Sequence, residues 1–427
     1  MAHSHLHTSE PETPETRAMQ RRAMRVMVLI VVPLAIWTLG ALIVMWPGDV
    51  SDHINSEAGG FAIAGSSMPS GTIVGIEEIS CEGMQGWSPG TETTCANIQV
   101  RVDEGPEEGQ VTEVVMNSAQ YSSGVSEGTR VKLYRTPMPD GPGIYQFADF
   151  ERSTPLIVFL LVFAVAVVAI ARFRGFMGLV GLGFAAVIIS KFMFPALIAG
   201  GDPVWVGLVG SSAIMFVVLY TAHGFSARTT TALLGTLFGL GVSAGLGLIA
   251  TKWAHLSGVA AEDDYLLAAT APDLMLTSVV ICGIIVAGLG VLNDVTITQA
   301  SAVWELSNSG QRDSRKLYNS AMRIGRDHIA STVYTIAFAT AGASLSTLLL
   351  IALYDRPIWE VLQLEEFSAE IIRTVVGSIG LVLSMPLTTA IGVIAVRFAG
   401  SRRAAATSPA SPSELEADDF EDDARQR

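Results

Sequence analysis

The residues best suited to chemistry lie in one stretch, Gly288-Leu-Gly-Val-Leu-Asn-Asp-Val-Thr-Ile-Thr-Gln-Ala-Ser-Ala-Val-Trp-Glu-Leu306. Two glycines weaken a helix there, and Asn293 and Asp294 follow where a lipid-facing helix carries Leu or Val. Continued as a helix, Asp294, Thr298, Ser301 and Glu305 fall at i, i+4, i+7 and i+11, within one narrow stripe. Two carboxylates with hydroxyls between them, backed by Val295, Ala302 and Val303, form an oxygen-ligand ladder for a proton or a hard cation. Asn293 and Gln299 are further candidate ligands, and the identity of any metal stays open. Asp327 and His328 open the next apolar run, where they could relay protons. Two blander readings compete. Asn293 or Asp294 could be the N-cap of a short cytoplasmic helix starting at Val295, its stripe facing water. Asp327 could cap its own helix or pair with Arg323 or Arg326.

Other reaction classes lack their residues. No nucleophile–His–carboxylate grouping, Walker loop, HExxH or CxxC pair occurs. No enzyme and no cofactor is therefore expected, and ATP drive would need another subunit.

The elements that must position the stripe are membrane spans. Half of the 427 residues are apolar and 15% are charged. The apolar ones form runs long enough to cross about 30 Å of hydrocarbon, which a soluble core does not need. Eight spans are expected, at 26–46, 155–171, 176–194, 203–222, 229–250, 274–292, 329–353 and 371–396. The third is interrupted by Lys191 and by Gly178, Gly181 and Gly183. Basic residues set the orientation. Arg17, Arg21, Arg22 and Arg25, then Arg172 and Arg174, Arg228, the group Arg312, Arg315, Lys316, Arg323 and Arg326, and finally Arg397, Arg402 and Arg403 all fall on one side. The short loops opposite keep only Lys252 and Arg356. Both termini are then cytoplasmic, in a multi-pass plasma-membrane protein. The first span is expected to be a retained anchor rather than a cleaved signal peptide, because its run is long and no small-x-small site follows it before Trp46.

The expected organisation is a solvated N-tail at 1–25, an anchor at 26–46, an extracytoplasmic β domain at 47–153, a seven-span bundle at 154–400 and an acidic solvated tail at 401–427. His3, His5 and His7 sit in the first tail, where a metal-binding tract is the minor reading. Alternating segments at 71–79, 96–102, 110–116, 129–134 and 144–150 suggest five strands in a small OB-like barrel. Turn clusters such as the one from Trp87 to Gly90 separate them. Cys81 and Cys95 are expected to form a disulfide in an oxidising compartment. From 47 to 153 there are sixteen Asp and Glu against five Lys and Arg, a balance that repels a phosphate backbone and argues against nucleic acid. Membrane lipids are the expected partners, with a homo-oligomer allowed.

Remaining polar residues read as structural. Lys191 snorkels to an interface, while Asp202 and His223 sit at helix ends. Cys282 packs as a small apolar residue. Gly235 and Gly239 form a GxxxG that permits close helix approach, and Pro386 would free a carbonyl and bend its helix. The basic connection from Ser307 to Arg326 is either a surface helix on anionic headgroups or an ordinary topology-setting loop.

The stretch from Gly290 to Leu306 resembles the YibE/F-like bacterial membrane proteins, being similar to their Gly-x-x-x-Asp followed by small polar residues and Glu. The segment Gly325-Arg-Asp-His-Ile-Ala-Ser-Thr-Val-Tyr-Thr335 is similar to that family's Gly-x-Asp entry into the next span. The resemblance implies fold and location, over roughly 26–400, more than it implies an activity. Asn293, and Thr and Gln where Ser and Ala are usual, depart from the pattern. Two functions are expected to compete: a secondary transporter or permease using Asp294, and a membrane scaffold or sensor whose external domain binds a ligand.

Overall fold

The computed structural model describes residues 14–55, 65–82, 94–138, 141–311, 313–353 and 357–406. His3, His5, His7, Trp87, Arg312, Arg356 and the tail from 407 lie outside the described residues. In chain order the elements are α1 Pro14–Val44, β1 Ser70–Ser80, β2 Thr94–Val102, β3 Val111–Met116, α2 Ser118–Tyr121, β4 Arg130–Met138 and β5 Gly141–Phe150. The helices then continue with α3 Ser153–Ile188, α4 Phe194–Ile198, α5 Pro203–His223, α6 Ala227–Trp253, α7 Glu262–Thr270 and α8 Leu276–Asn308. The last are α9 Ser314–Ala343, α10 Leu345–Leu353, α11 Ile358–Leu362 and α12 Glu365–Ala406. They fall into two compact units, one of residues 49–176 with 261–274, the other of 1–48, 177–260 and 275–427.

The first unit carries one antiparallel sheet of order β3-β2-β1-β4-β5, in which β1 is hydrogen-bonded on both sides. Its strands coincide with the five alternating segments, because alternation turns Ile73, Ile98, Val100, Val114, Met116, Val131 and Leu133 to one buried face. Cys81 and Cys95 are bonded, closing a loop of sequence separation 14. A charged lock also lies in this unit. Arg135 donates from Nε and Nη2 to the two oxygens of Glu107, both at 2.6 Å, and Tyr145 OH (2.8 Å) and Gly143 N (3.2 Å) add to the same carboxylate. Both partners of the pair are nearly buried, at 11% and 10% exposure.

Those donors, Arg135 first, hold the Glu107 carboxyl well below its ordinary range, at about 2. A depressed folded pKa means stability that is complete above the unfolded value near ~4.3 and is lost as pH falls toward 2. Pepsin cleavage of the full chain within 94–150 should therefore separate wild type from Glu107→Gln at pH 4.5, wild type being the more resistant. The two should converge below pH 2, where the native carboxyl is itself protonated.

The second unit is a helical bundle. α6, α8 and α12 pack on one another at its centre, and α5, α9 and α1 lie around them. Glycines make the centre close. A Cβ on Gly239 would lie 2.5 Å from Leu292 Cδ2 and 3.1 Å from Ser384 Cβ, and one on Gly247 would lie 3.3 Å from Ile284 Cγ2. Helix starts are capped as their sequences allow. Asp202 accepts from Val204 N and Trp205 N, Ser226 from Thr229 N, and Asp313 from Arg315 N and Lys316 N.

Among the described residues six helices are long and apolar enough to cross a membrane, or seven if the bent pair α9 and α10 is one span. The expected eight differ in two places. The runs 155–171 and 176–194 join into a single helical stretch of 46 residues ending at Ile198, interrupted at Arg172 (φ 53°, ψ −135°) and by a π turn from Ile189 to Met193. The run 329–353 is bent by 68° between α9 and α10. The connection from Ser314 to Arg326 is neither a loop nor a separate surface helix, because it forms the first half of α9. α12 remains one helix through Pro386.

Candidate functional site

α8 runs unbroken for 33 residues, so the run expected to end at 292 continues to Asn308. Neither Asn293 nor Asp294 caps a helix, and the reading of a separate helix starting at Val295 is corrected. The reason is that the buried face of α8 does not stop at 292. Val295, Thr296, Gln299, Ala300, Val303 and Trp304 are all buried, and Thr296 and Gln299 find partners on other helices. Thr296 Oγ1 lies 2.7 Å from Thr236 Oγ1 of α6. Gln299 Nε2 donates to Ala321 O of α9 (3.1 Å) and to Thr389 Oγ1 of α12 (2.7 Å). Gln299 thus joins three helices, and its Oε1 would be 2.7 Å from a Cβ on Gly325, so glycine is needed where α9 crosses it.

The opposite face carries the stripe. Asp294, Thr298 and Glu305 are exposed and Ser301 is half-buried, so the i, i+4, i+7, i+11 alignment faces away from the α6/α8/α12 centre. Of the two acidic groups, Asp294 has a neighbour that can exchange a proton. Its Oδ2 lies 3.6 Å from His328 Nε2 of α9, with the side chains 65% and 29% exposed. His328 Nε2 and Asn293 Oδ1 are both buried without a hydrogen-bond partner among the described residues. Asp327, one residue away, sits inside α9 and is exposed, so it is not the N-cap of that helix; Asp313 is.

The structure therefore brings Asp294, His328 and Asn293 to one junction of α8 and α9, and puts Gln299 into the packing between helices. Thr298, Ser301 and Glu305 share the face without touching a counter-charge among the described residues. Among the described residues no group of three His, Cys, Asp or Glu side chains could hold a metal ion. Reasoning from the sequence passed over Thr236, Thr389 and the pair Arg373–Glu370 (2.6 Å) on α12. Hydroxyls in apolar runs are too common to signal partners 60 or 90 residues away, and Arg373 lies just inside the expected start of a span.

Residues 159–397 match the family described as YibE/F-like protein, which is more than half of the chain and includes the whole α8–α9 junction. No curated protein and no solved structure matches the chain. The chain belongs to the YibE/F-like protein family.

Proposed function

We propose that this chain is a secondary transporter or permease for an ion or small solute, with Asp294 as the carboxylate that takes up a proton or cation beside His328. The observation that carries the reading is a register of contacts. Leu292 and Ser384 of α12 both pack against Gly239 of α6, and Gly239 and Ser384 are the middle residues of the apolar stretches 229–250 and 371–396. A bilayer that covers both stretches sets Asp294 two residues, roughly 3 Å along α8, from its midplane. An ionised carboxylate at that depth is costly unless it faces water, a counter-ion or a protein partner. His328 at 3.6 Å is the one such partner within ion-pair reach among the described residues.

The wider arrangement fits. The 46-residue run from Ser153 is roughly 69 Å long, about twice the hydrocarbon thickness. Taken as two spans broken at Arg172, it gives eight crossings and returns Arg25, Arg172, Arg174, Arg228, Arg315, Lys316 and Arg397 to the cytoplasmic side, with Arg323 and Arg326 inside α9, leaving residues 47–153 outside the cell. In the sheet unit, β3 and β5 at the two ends of the strand order approach within 8 Å between Cα atoms, which supports a partly closed, OB-like barrel.

The test is flux. Purified full-length chain in liposomes should dissipate an imposed gradient of protons, or of a cation from a panel of Na⁺, K⁺, Mg²⁺ and Mn²⁺, faster than protein-free liposomes. Rates equal to the empty control across that panel and a set of small solutes would leave the scaffold or sensor reading in its place.

A further inference from the structure

We propose that the exposed faces of α8 and α9 form the two halves of a twofold interface between copies of this chain. The proposal rests on the membrane-spanning reading above but not on transport. On α8 the exposed face carries Asp294, Thr298 and Glu305, with half-buried Ser301 between them. On α9 the exposed residues Lys316, Asn319, Arg323 and Asp327 recur at i, i+3, i+7 and i+11, with Arg326 beside them. The first face holds two negative charges, and the second holds three positive and one negative. Glu305, Arg323 and Arg326 make no ion pair among the described residues.

Contacts inside one chain fix how these faces align. The two helices run antiparallel, with Val303 clustered on Leu317, Gln299 bonded to Ala321 O at 3.1 Å and Asp294 beside His328 at 3.6 Å. Glu305 is therefore level with Lys316, Thr298 with Arg323, and Asp294 with Asp327 and Arg326. A twofold axis along the bundle leaves every level unchanged, so α8 of one protomer meets α9 of its partner in this same register. An isologous contact repeats the match twice. Glu305 then faces Lys316 of the partner subunit, and Asp294 faces Arg326 of the partner subunit, which offsets Asp327 at that level. Anionic lipid is the other occupant to weigh. It could neutralise the basic face of α9, but it would leave the acidic face of α8 against acyl chains. A second copy satisfies both.

The test reconstitutes full-length protein in which Cys282 is replaced by alanine and mixes two differently tagged variants, Thr298→Cys and Arg323→Cys. Oxidation should yield the mixed cross-linked dimer at least about tenfold over Thr298→Cys mixed with Leu387→Cys, a half-buried residue of α12 that the Gln299–Thr389 bond sets near the depth of Thr298. Subunit counting by photobleaching should give two per particle. Glu305→Lys and Lys316→Glu should each lower that dimer fraction, and their combination should restore it. Single-step bleaching, equal cross-linking at Leu387, or protection of Arg323→Cys from labelling by anionic lipid in a monomeric protein would each overturn the interface. A monomer with normal flux removes the interface and leaves transport standing, while a cross-linked dimer without flux does the reverse.

Discussion

Asp294→Asn should lower protein-dependent flux by about 100-fold or more, the scale of a lost positioned proton-transfer group, while the chain still inserts and elutes as a single folded species. Asparagine keeps the size and shape of the side chain on the exposed face of α8. It keeps the 3.6 Å approach to His328 as well, but it can neither ionise nor hold a proton in exchange. The buried face, with Thr296 on Thr236 and Gln299 on Thr389, is untouched, so a collapse of folding is not expected. Initial rates in the liposome assay, normalised to reconstituted protein, measure the effect. Flux equal to wild type would remove Asp294 from any coupling role. Glu305→Gln should be far milder, because Glu305 lies at the other end of the stripe without His328 beside it.

The second large effect is on assembly of the bundle. Gly235→Leu should cost about 3 kcal/mol, the upper range for overpacking a closed core, and should visibly lower both folded yield and the thermal midpoint in detergent. Even a single Cβ at Gly235 would collide with the Thr388 hydroxyl and lie 3.0 Å from Thr388 Cβ. Thr388 cannot easily yield, since it is fully buried and donates to Ser384 O within α12. Gly241, on the same helix, is the control. Nothing lies within 4 Å of a Cβ there, so Gly241→Ala should be neutral or stabilise by up to about 1 kcal/mol through helix propensity. Tryptophan-detected melting of both variants decides the matter. Equal midpoints would mean that α6 and α12 are not in close contact at Gly235.

Much of this architecture could be read from hydropathy, because a membrane-crossing helix is written as one continuous run and a half-buried strand as simple alternation. The five strands and the apolar centres of α5, α6 and α12 are of that kind. What escaped was continuation through polar residues. α8 proceeds from Leu292 to Asn308 since Val295, Ala300, Val303 and Trp304 keep its inner face buried, but the stripe on the other face breaks the hydropathy run. α9 likewise begins at Ser314, before its apolar portion, because Leu317, Ala321 and Gly325 already face α8 and α12. The ordered stripe from Asp294 to Glu305 was visible from spacing alone. The approach of Asp294 to His328 had no sign in the sequence, since the two lie on different helices and only the packing of α8 on α9 brings them together. The knot at Gln299 and the lock between Glu107 and Arg135 depend on residues brought together from 22 to 90 positions apart, for which one sequence holds no local sign.

The knot at Gln299 also restricts how the molecule can work. One amide fastens α8 to α9 and α12, and the paired hydroxyls of Thr236 and Thr296 fasten α8 to α6. Four helices so pinned at one level swing together as a single lever. On the proposed transport reading, an opening that switches access to Asp294 from one side to the other would arise where that lever meets the rest of the protein, not by prising its own members apart.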